Sequence, residues 1–261
     1  VTVVLDATDA EGSTRRDQGE GHLQWIRPDR LALSIGKVGQ EGFYLGSSAE
    51  RYFWLDLVSD PPTAVVGAHA TATQRSAEAF GLPVHPLDLA ELLGLTTLPE
   101  RALEEGAFGP MTPVSWSQDG ALVAIRKPVR AGSARLLLEP ETARLRRVEL
   151  YDTAGRLIAT SVLSRDGQVE TIEGGGDWPW LPTRIEITLG AAASESEPGP
   201  RAEAVVSLYA MENRGSRQRE VAFDFDRLLR AYKVSEVVDL DERDSVEPAS
   251  DGQADNEASG G

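Results

Sequence analysis

The chain has 261 residues, of which 41% are apolar and 26% charged, and a formal net charge of −16. That length and apolar share suffice for a sizeable buried core, and no uninterrupted apolar run reaches the 18 residues of a membrane-spanning helix. Cysteine is absent, which excludes disulfides, thiolate metal sites and cysteine nucleophiles within this sequence.

The charge is unevenly placed. Residues 236–261 hold nine acidic side chains and one Arg, a net of −8, leaving about −8 for the rest. No basic patch offsets it, so nucleic acid is not an expected partner. Only Lys37, Lys127 and Lys233 among the 26 basic residues are lysine, a bias that fits a GC-rich bacterial genome. The sequence opens at Val1 directly into a strand-like run and reads as a piece of a longer product.

In chain order, short apolar runs at 1–8, 20–27, 30–37, 42–48, 50–58 and 63–69 read as strands. The breaks between them fall at Asp9-Ala10-Glu11-Gly12, Pro28-Asp29, Gly39-Gln40-Glu41-Gly42, Gly46-Ser47-Ser48 and Ser59-Asp60-Pro61-Pro62. Spacing this tight requires antiparallel neighbours, because parallel crossovers need about a dozen residues. Residues 73–80 are weakly helical. Pro86 through Leu93 reads as a short helix: Pro86 suits the first turn, Leu89, Leu92 and Leu93 form one stripe, and Gly94 is a stop. A second short helix is expected at 99–105.

Strand texture returns at 114–118, 121–126, 134–139, 144–151, 156–164, 168–172, 183–189, 202–211 and 220–225. Asp119-Gly120 and Asp166-Gly167 are hairpin signals. Asp224 and Asp226 alternate with Phe223 and Phe225 as the solvent face of a last strand. From 241 to 261 the chain is acidic, nearly free of large apolar groups and expected to be disordered.

The fold class is therefore mainly β with a small α component (α+β), built as one large antiparallel sheet over residues 1–240. So many strands do not stay flat; the sheet is expected to curve strongly into an open half-barrel capped by short inserted helices at about 73–105.

The candidate site lies in the stretch from Gly21 to Arg27, where Leu23, Trp25 and Arg27 share one strand face at period two. A guanidinium on an apolar face needs a partner. With Leu33, Phe43, Tyr52 and Trp54 from the following strands and Leu89, Leu92 and Leu93 from the helix, these side chains form either an apolar concavity for a ligand or an ordinary core. The helix is correspondingly either a movable lid or a fixed plug, and Arg27 either a latch or a strand-end Arg stacked on Trp25. His22, His69 and His85 lie far apart in sequence without ligand spacing, so no metal or other cofactor is expected. There is no Gly-x-Ser-x-Gly elbow, no phosphate-cradling Gly-Lys-Ser/Thr loop and no Gly-x-Gly-x-x-Gly after a strand, so no catalytic residues are assigned and the chain reads as a non-enzyme. Paired carboxylates in three dimensions stay open.

Gly21-His22-Leu23-Gln24-Trp25-Ile26-Arg27-Pro28, followed by a strand and then Ser48-Ala49-Glu50-Arg51-Tyr52-Phe53-Trp54, is similar to the front half of the LolA/LolB-like lipoprotein-carrier superfamily. Leu150-Tyr151-Asp152-x-x-Gly155, Leu181-Pro182-x-x-Ile185-x-Ile187 and Phe223-Asp224-Phe225 resemble its back half. The resemblance spans most of residues 1–240; it departs at Ser47-Ser48-Ala49, where the family has Asp-Gly, and in the acidic tail. It implies a curved half-barrel missing its first helix, with an apolar concavity that takes lipid or lipoprotein acyl chains. It also implies Arg27 as the arginine that hydrogen-bonds the lid, a role that five guanidinium donors can fill. The implied function is a periplasmic or outer-membrane-associated carrier or receptor, monomeric, with possible membrane association through an N-terminal anchor on the missing segment. The competing reading is an envelope sensor or protein-interaction module that uses the same concave sheet.

Overall fold

A computed structural model describes residues 1–8, 13–26, 30–37, 39–72, 85–95, 112–116, 123–129, 132–171, 180–190, 201–213 and 220–242. The first half is a run of hairpins: β1 (Thr2–Thr8), β2 (Thr14–Ile26), β3 (Arg30–Lys37), β4 (Gln40–Ser47), β5 (Arg51–Asp56) and β6 (Thr63–Ala68). Helix α1 (Pro86–Leu92) follows. A second run comprises β7 (Thr112–Trp116), β8 (Val123–Val129), β9 (Gly132–Leu138), β10 (Leu145–Asp152), β11 (Leu157–Gln168), the short β12 (Glu170–Thr171), β13 (Trp180–Leu189), β14 (Arg201–Ser207) and the short β15 (Glu212–Asn213). The described chain ends with a 3-10 turn (Glu220–Phe223), α2 (Phe225–Tyr232) and β16 (Glu236–Asp239).

Fourteen of these strands form one sheet in the order β16-β6-β5-β4-β3-β2-β1-β14-β13-β11-β10-β9-β8-β7. The two runs of hairpins are welded where β1 pairs antiparallel with β14. Its two edges, β16 and β7, lie at opposite ends of that order, so the sheet is open.

It is also strongly bent. Helix α1 touches β3 and β4 on one side and β10 on the other. Six strands separate β4 from β10, which at about 4.8 Å per strand would place them roughly 34 Å apart in a flat sheet. A seven-residue helix is about 10 Å long and about as wide, so it meets both only because the sheet curls around it. Register irregularities at Ile35/Gly36, Leu145/Arg147 and Leu150/Tyr151 add local bend. The fold is the open, curved antiparallel half-barrel with a helix in its hollow.

The back of the sheet is covered too, and here the sequence reading is corrected. Residues 220–225 are not a strand: Asp224 is the N-cap of α2, its Oδ1 accepting from the Arg227 amide at 3.0 Å. Phe225, Leu228, Leu229 and Tyr232 follow at helical spacing and pack on Tyr44, Phe53, Leu55, Ala64 and Val66 from the convex face of β4–β6. Tyr44 donates to the Ala222 carbonyl at 2.7 Å, and burial raises its phenol pKa. Two further corrections concern pairing. Asp166-Gly167 makes no hairpin; both residues sit inside β11, paired with Pro182 and Leu181 of β13. The sheet is not wholly antiparallel, because β16 adds to the β6 edge in parallel. Asp241, placed by the sequence in the disordered tail, accepts from the Ala68 amide at 2.9 Å and bonds Thr71; residues 243–261 lie outside the described residues, as do the expected helices at 73–80 and 99–105 and the Asp119-Gly120 turn.

Candidate functional site

The concave face is apolar by register. In β3, Leu31 and Leu33 point inward while Ala32 joins the convex cluster; in β4, Phe43 and Leu45 face inward while Tyr44 faces α2. The opposite wall is built from Ala134 and Leu136 of β9, Val148 and Leu150 of β10, Ala159 and Leu163 of β11, and Ile185 and Ile187 of β13. Helix α1 lies between the two walls. Its start is fixed by His85, whose Nδ1 accepts from the Leu87 amide at 3.0 Å, with Pro86 in the first turn. Its end is a left-handed Gly94, φ +69°, with the Gly94 amide donating to the Glu91 carbonyl at 2.9 Å and Leu95 to Ala90 at 3.0 Å. A side chain at Gly94 would crowd Pro182 and Leu163.

Of the nine apolar residues singled out from the sequence, eight meet in this one cluster. Leu33, Leu92 and Leu93 are buried in it, and Leu23, Trp25, Phe43, Trp54 and Leu89 are half-buried against it. Phe43 and Trp54 meet edge to face, 4.7 Å between ring centres. The half-buried aromatic groups thus gather on β2, β4 and β5, beside Leu89 of α1, whereas the β9–β13 wall is aliphatic and buried except at Leu145 and Leu181. One polar group interrupts that wall: Ser161 of β11, fully buried, flanked in register by Val148 and Ile187, with no hydrogen-bond partner for its Oγ.

Tyr52 is the departure. It belongs to a separate buried cluster with Leu240, against which Trp54, Val65 and Val238 pack. Its ring lies 4.4 Å from that of His85 and 5.6 Å from that of His69. The two histidines, distant in sequence, have ring centres 5.4 Å apart. His69 Nε2 is 3.1 Å from Ser47 Oγ and 2.9 Å from the Ser48 carbonyl. Sequence reasoning missed this cluster; Pro86 marks where the helix begins but nothing marks His85 as its cap. Arg27 lies outside the described residues.

No protein-family model and no curated protein matches the sequence. In structure the chain is similar to a LolA superfamily protein from Nitrosomonas europaea, at 13% identity and a TM-score of 0.46. It is also similar to an outer membrane lipoprotein-sorting protein domain from Vibrio parahaemolyticus (12%, 0.43) and to a DUF1329 family protein from Desulfovibrio piger (10%, 0.42). Each of the three alignments covers 87% of this chain and 89% of the other.

Asp88 and Glu91 are buried on α1, and ion pairs run along β9–β11 and their turns. Asp152 closes the β10–β11 turn, taking the Arg156 amide at 2.8 Å and its Nε at 2.7 Å; those contacts hold its carboxyl below the usual carboxylate range. Glu139 is held low by Thr142 and Arg146, and exposed Asp17 by Lys37. Asp166 takes Arg144 at 2.7 Å and Arg146 at 2.9 Å, and Arg144 lies 4.9 Å over the exposed ring of Trp180. Glu149 gathers Arg135, Arg147 and Tyr151. A carboxyl held low by cations is a structural pair and not a poised general acid. Among the described residues no group of three His, Asp or Glu side chains could hold a metal ion, and no helix is long and apolar enough to cross a membrane.

Proposed function

We propose that the chain is a non-enzymatic carrier or receptor that binds lipid or lipoprotein acyl chains between its concave sheet and α1, at the periplasmic side of a bacterial envelope. One observation carries this reading. Leu23, Trp25, Phe43 and Trp54 line the concave face without being fully withdrawn from solvent, and half-buried Leu89 joins their cluster from the helix that the sheet wraps around. A core needs no such half-buried aromatic row, whereas an acyl chain sliding under α1 would complete its burial.

The magnitudes suit exchange. Roughly 14 methylenes buried at about 0.8 kcal/mol each supply about 11 kcal/mol. Association costs at least about 4 kcal/mol, leaving at most about 7 kcal/mol, a Kd no tighter than the order of 10 µM. A carrier has to give up its cargo, and an affinity of that order permits it.

In this reading α1 is the lid, residues 1–240 act as one unit, and Arg27 helps hold the lid closed. The test is saturable binding of a fluorescent fatty-acid probe to the purified protein, alongside native mass spectrometry for co-purifying lipid. Probe binding that saturates and is competed by unlabelled fatty acid supports the carrier. Folded protein with neither probe binding nor retained lipid removes it and leaves a protein-interaction module on the same sheet. Arg27→Leu is expected to speed probe release by several-fold while moving the thermal midpoint little; loss of both together would make Arg27 a structural residue.

A further inference from the structure

The cap of α1 is an imidazole, and the geometry fixes its protonation state. His85 Nδ1 sits 3.0 Å from the Leu87 amide. The amide can only donate, so Nδ1 carries a lone pair and the ring is neutral. The ring is buried, with 1% of its surface exposed. His69 is different: its Nε2 faces the Ser48 carbonyl at 2.9 Å, which can only accept, so that nitrogen carries a proton whether the ring is neutral or charged. One histidine of the pair therefore loses its role on taking up a proton, and the other keeps it.

We propose that His85 is an acid-sensitive latch: protonation abolishes its cap bond and releases the N-terminus of α1 from Tyr52 and His69. The protonated ring would aim a second N–H at the Leu87 amide, add positive charge at the positive end of the helix, and stand 5.4 Å from the His69 ring. The ring meets Tyr52 of β5 and stands near His69 after β6, with Asp88 in the first turn of α1; Asp241 after β16 holds the Ala68 amide next to His69 in sequence. Burial of His85 and its cap bond both oppose the charged ring. Proton uptake and cap bond exclude each other at one nitrogen, so acidification trades the closed helix for the charged ring. The device acts on the helix whether or not the groove holds a lipid.

The experiment is hydrogen exchange of wild type and His85→Asn at about pH 8 and about pH 5.5, corrected for intrinsic exchange rates, with an NMR titration of the His85 ring. Asn supplies a capping oxygen that does not titrate. Wild type is expected to lose at least tenfold protection over residues 86–93 at the lower pH, while β9 and β10 stay protected, with the midpoint matching the ring titration. His85→Asn should keep α1 equally protected at both values. Unchanged protection in wild type, an equal loss in His85→Asn, or a ring that stays neutral until global acid unfolding would each overturn the latch.

Discussion

A hydroxyl set in an apolar wall shows how much depends on one atom. Ser161 Oγ has no hydrogen-bond partner and no exposure, and both its cross-strand neighbours are aliphatic. Leaving such a group dry and unpaired costs about 1 kcal/mol or more. Ser161→Ala should therefore stabilise the protein by about 1 kcal/mol, read as a higher urea midpoint at unchanged slope. Destabilisation would show that the hydroxyl makes a bond that this conformation lacks. At this scale the sequence is legible wherever period two holds: Leu23 with Trp25, and Leu31 with Leu33, announce their face. It is not legible for Tyr52 or His85, because what they touch is set by folding β5, β6 and α1 together. A lone histidine has no periodicity to betray it.

Between residue and whole, turns and caps are the readable part, except where pairing overrules them. Asp152-Thr153-Ala154-Gly155 reads as a turn and is one, since Asp152 accepts from both the amide and the guanidinium of Arg156. Asp166-Gly167 has the same turn chemistry and makes no turn, because β13 pairs along both residues and Arg144 and Arg146 hold the carboxylate. Phe223-Asp224-Phe225 alternates like a strand, but Asp224 caps the helical stripe of Phe225, Leu228, Leu229 and Tyr232, and the longer pattern wins. The β10–β11 turn makes a pH prediction. The Asp152 carboxyl titrates lower in the fold than in the unfolded chain, so as pH falls the unfolded chain takes up the proton first. Its contribution is complete above about pH 5, a unit above the unfolded carboxyl, and is lost as pH drops through the folded value. The stability gap between wild type and Asp152→Asn, measured by urea unfolding, should narrow from about pH 5 to about pH 2. A constant gap would assign Asp152 a role independent of its charge.

For the whole molecule, curvature is the property that matters, and it was legible only as a consequence of strand number. The location of the bend, the helix behind β4–β6 and the parallel edge strand were not legible, since each arises from contacts between segments far apart in the chain. Curvature places two tryptophans differently. Trp54 lies half-buried on the concave face, whereas Trp180 at the start of β13 is 51% exposed and stacked under Arg144. If acyl chains enter between α1 and the sheet, a stearate carrying a nitroxide along its chain reaches van der Waals contact with Trp54 and meets Trp180 only by collision. Its quenching of intrinsic fluorescence should then saturate. Trp54→Phe should remove much of the saturable component, and Trp180→Phe should leave that component intact while lowering total emission. Quenching that rises linearly in all three proteins, or that vanishes with Trp180, would place the lipid outside the hollow and detach the function from the bend of the sheet.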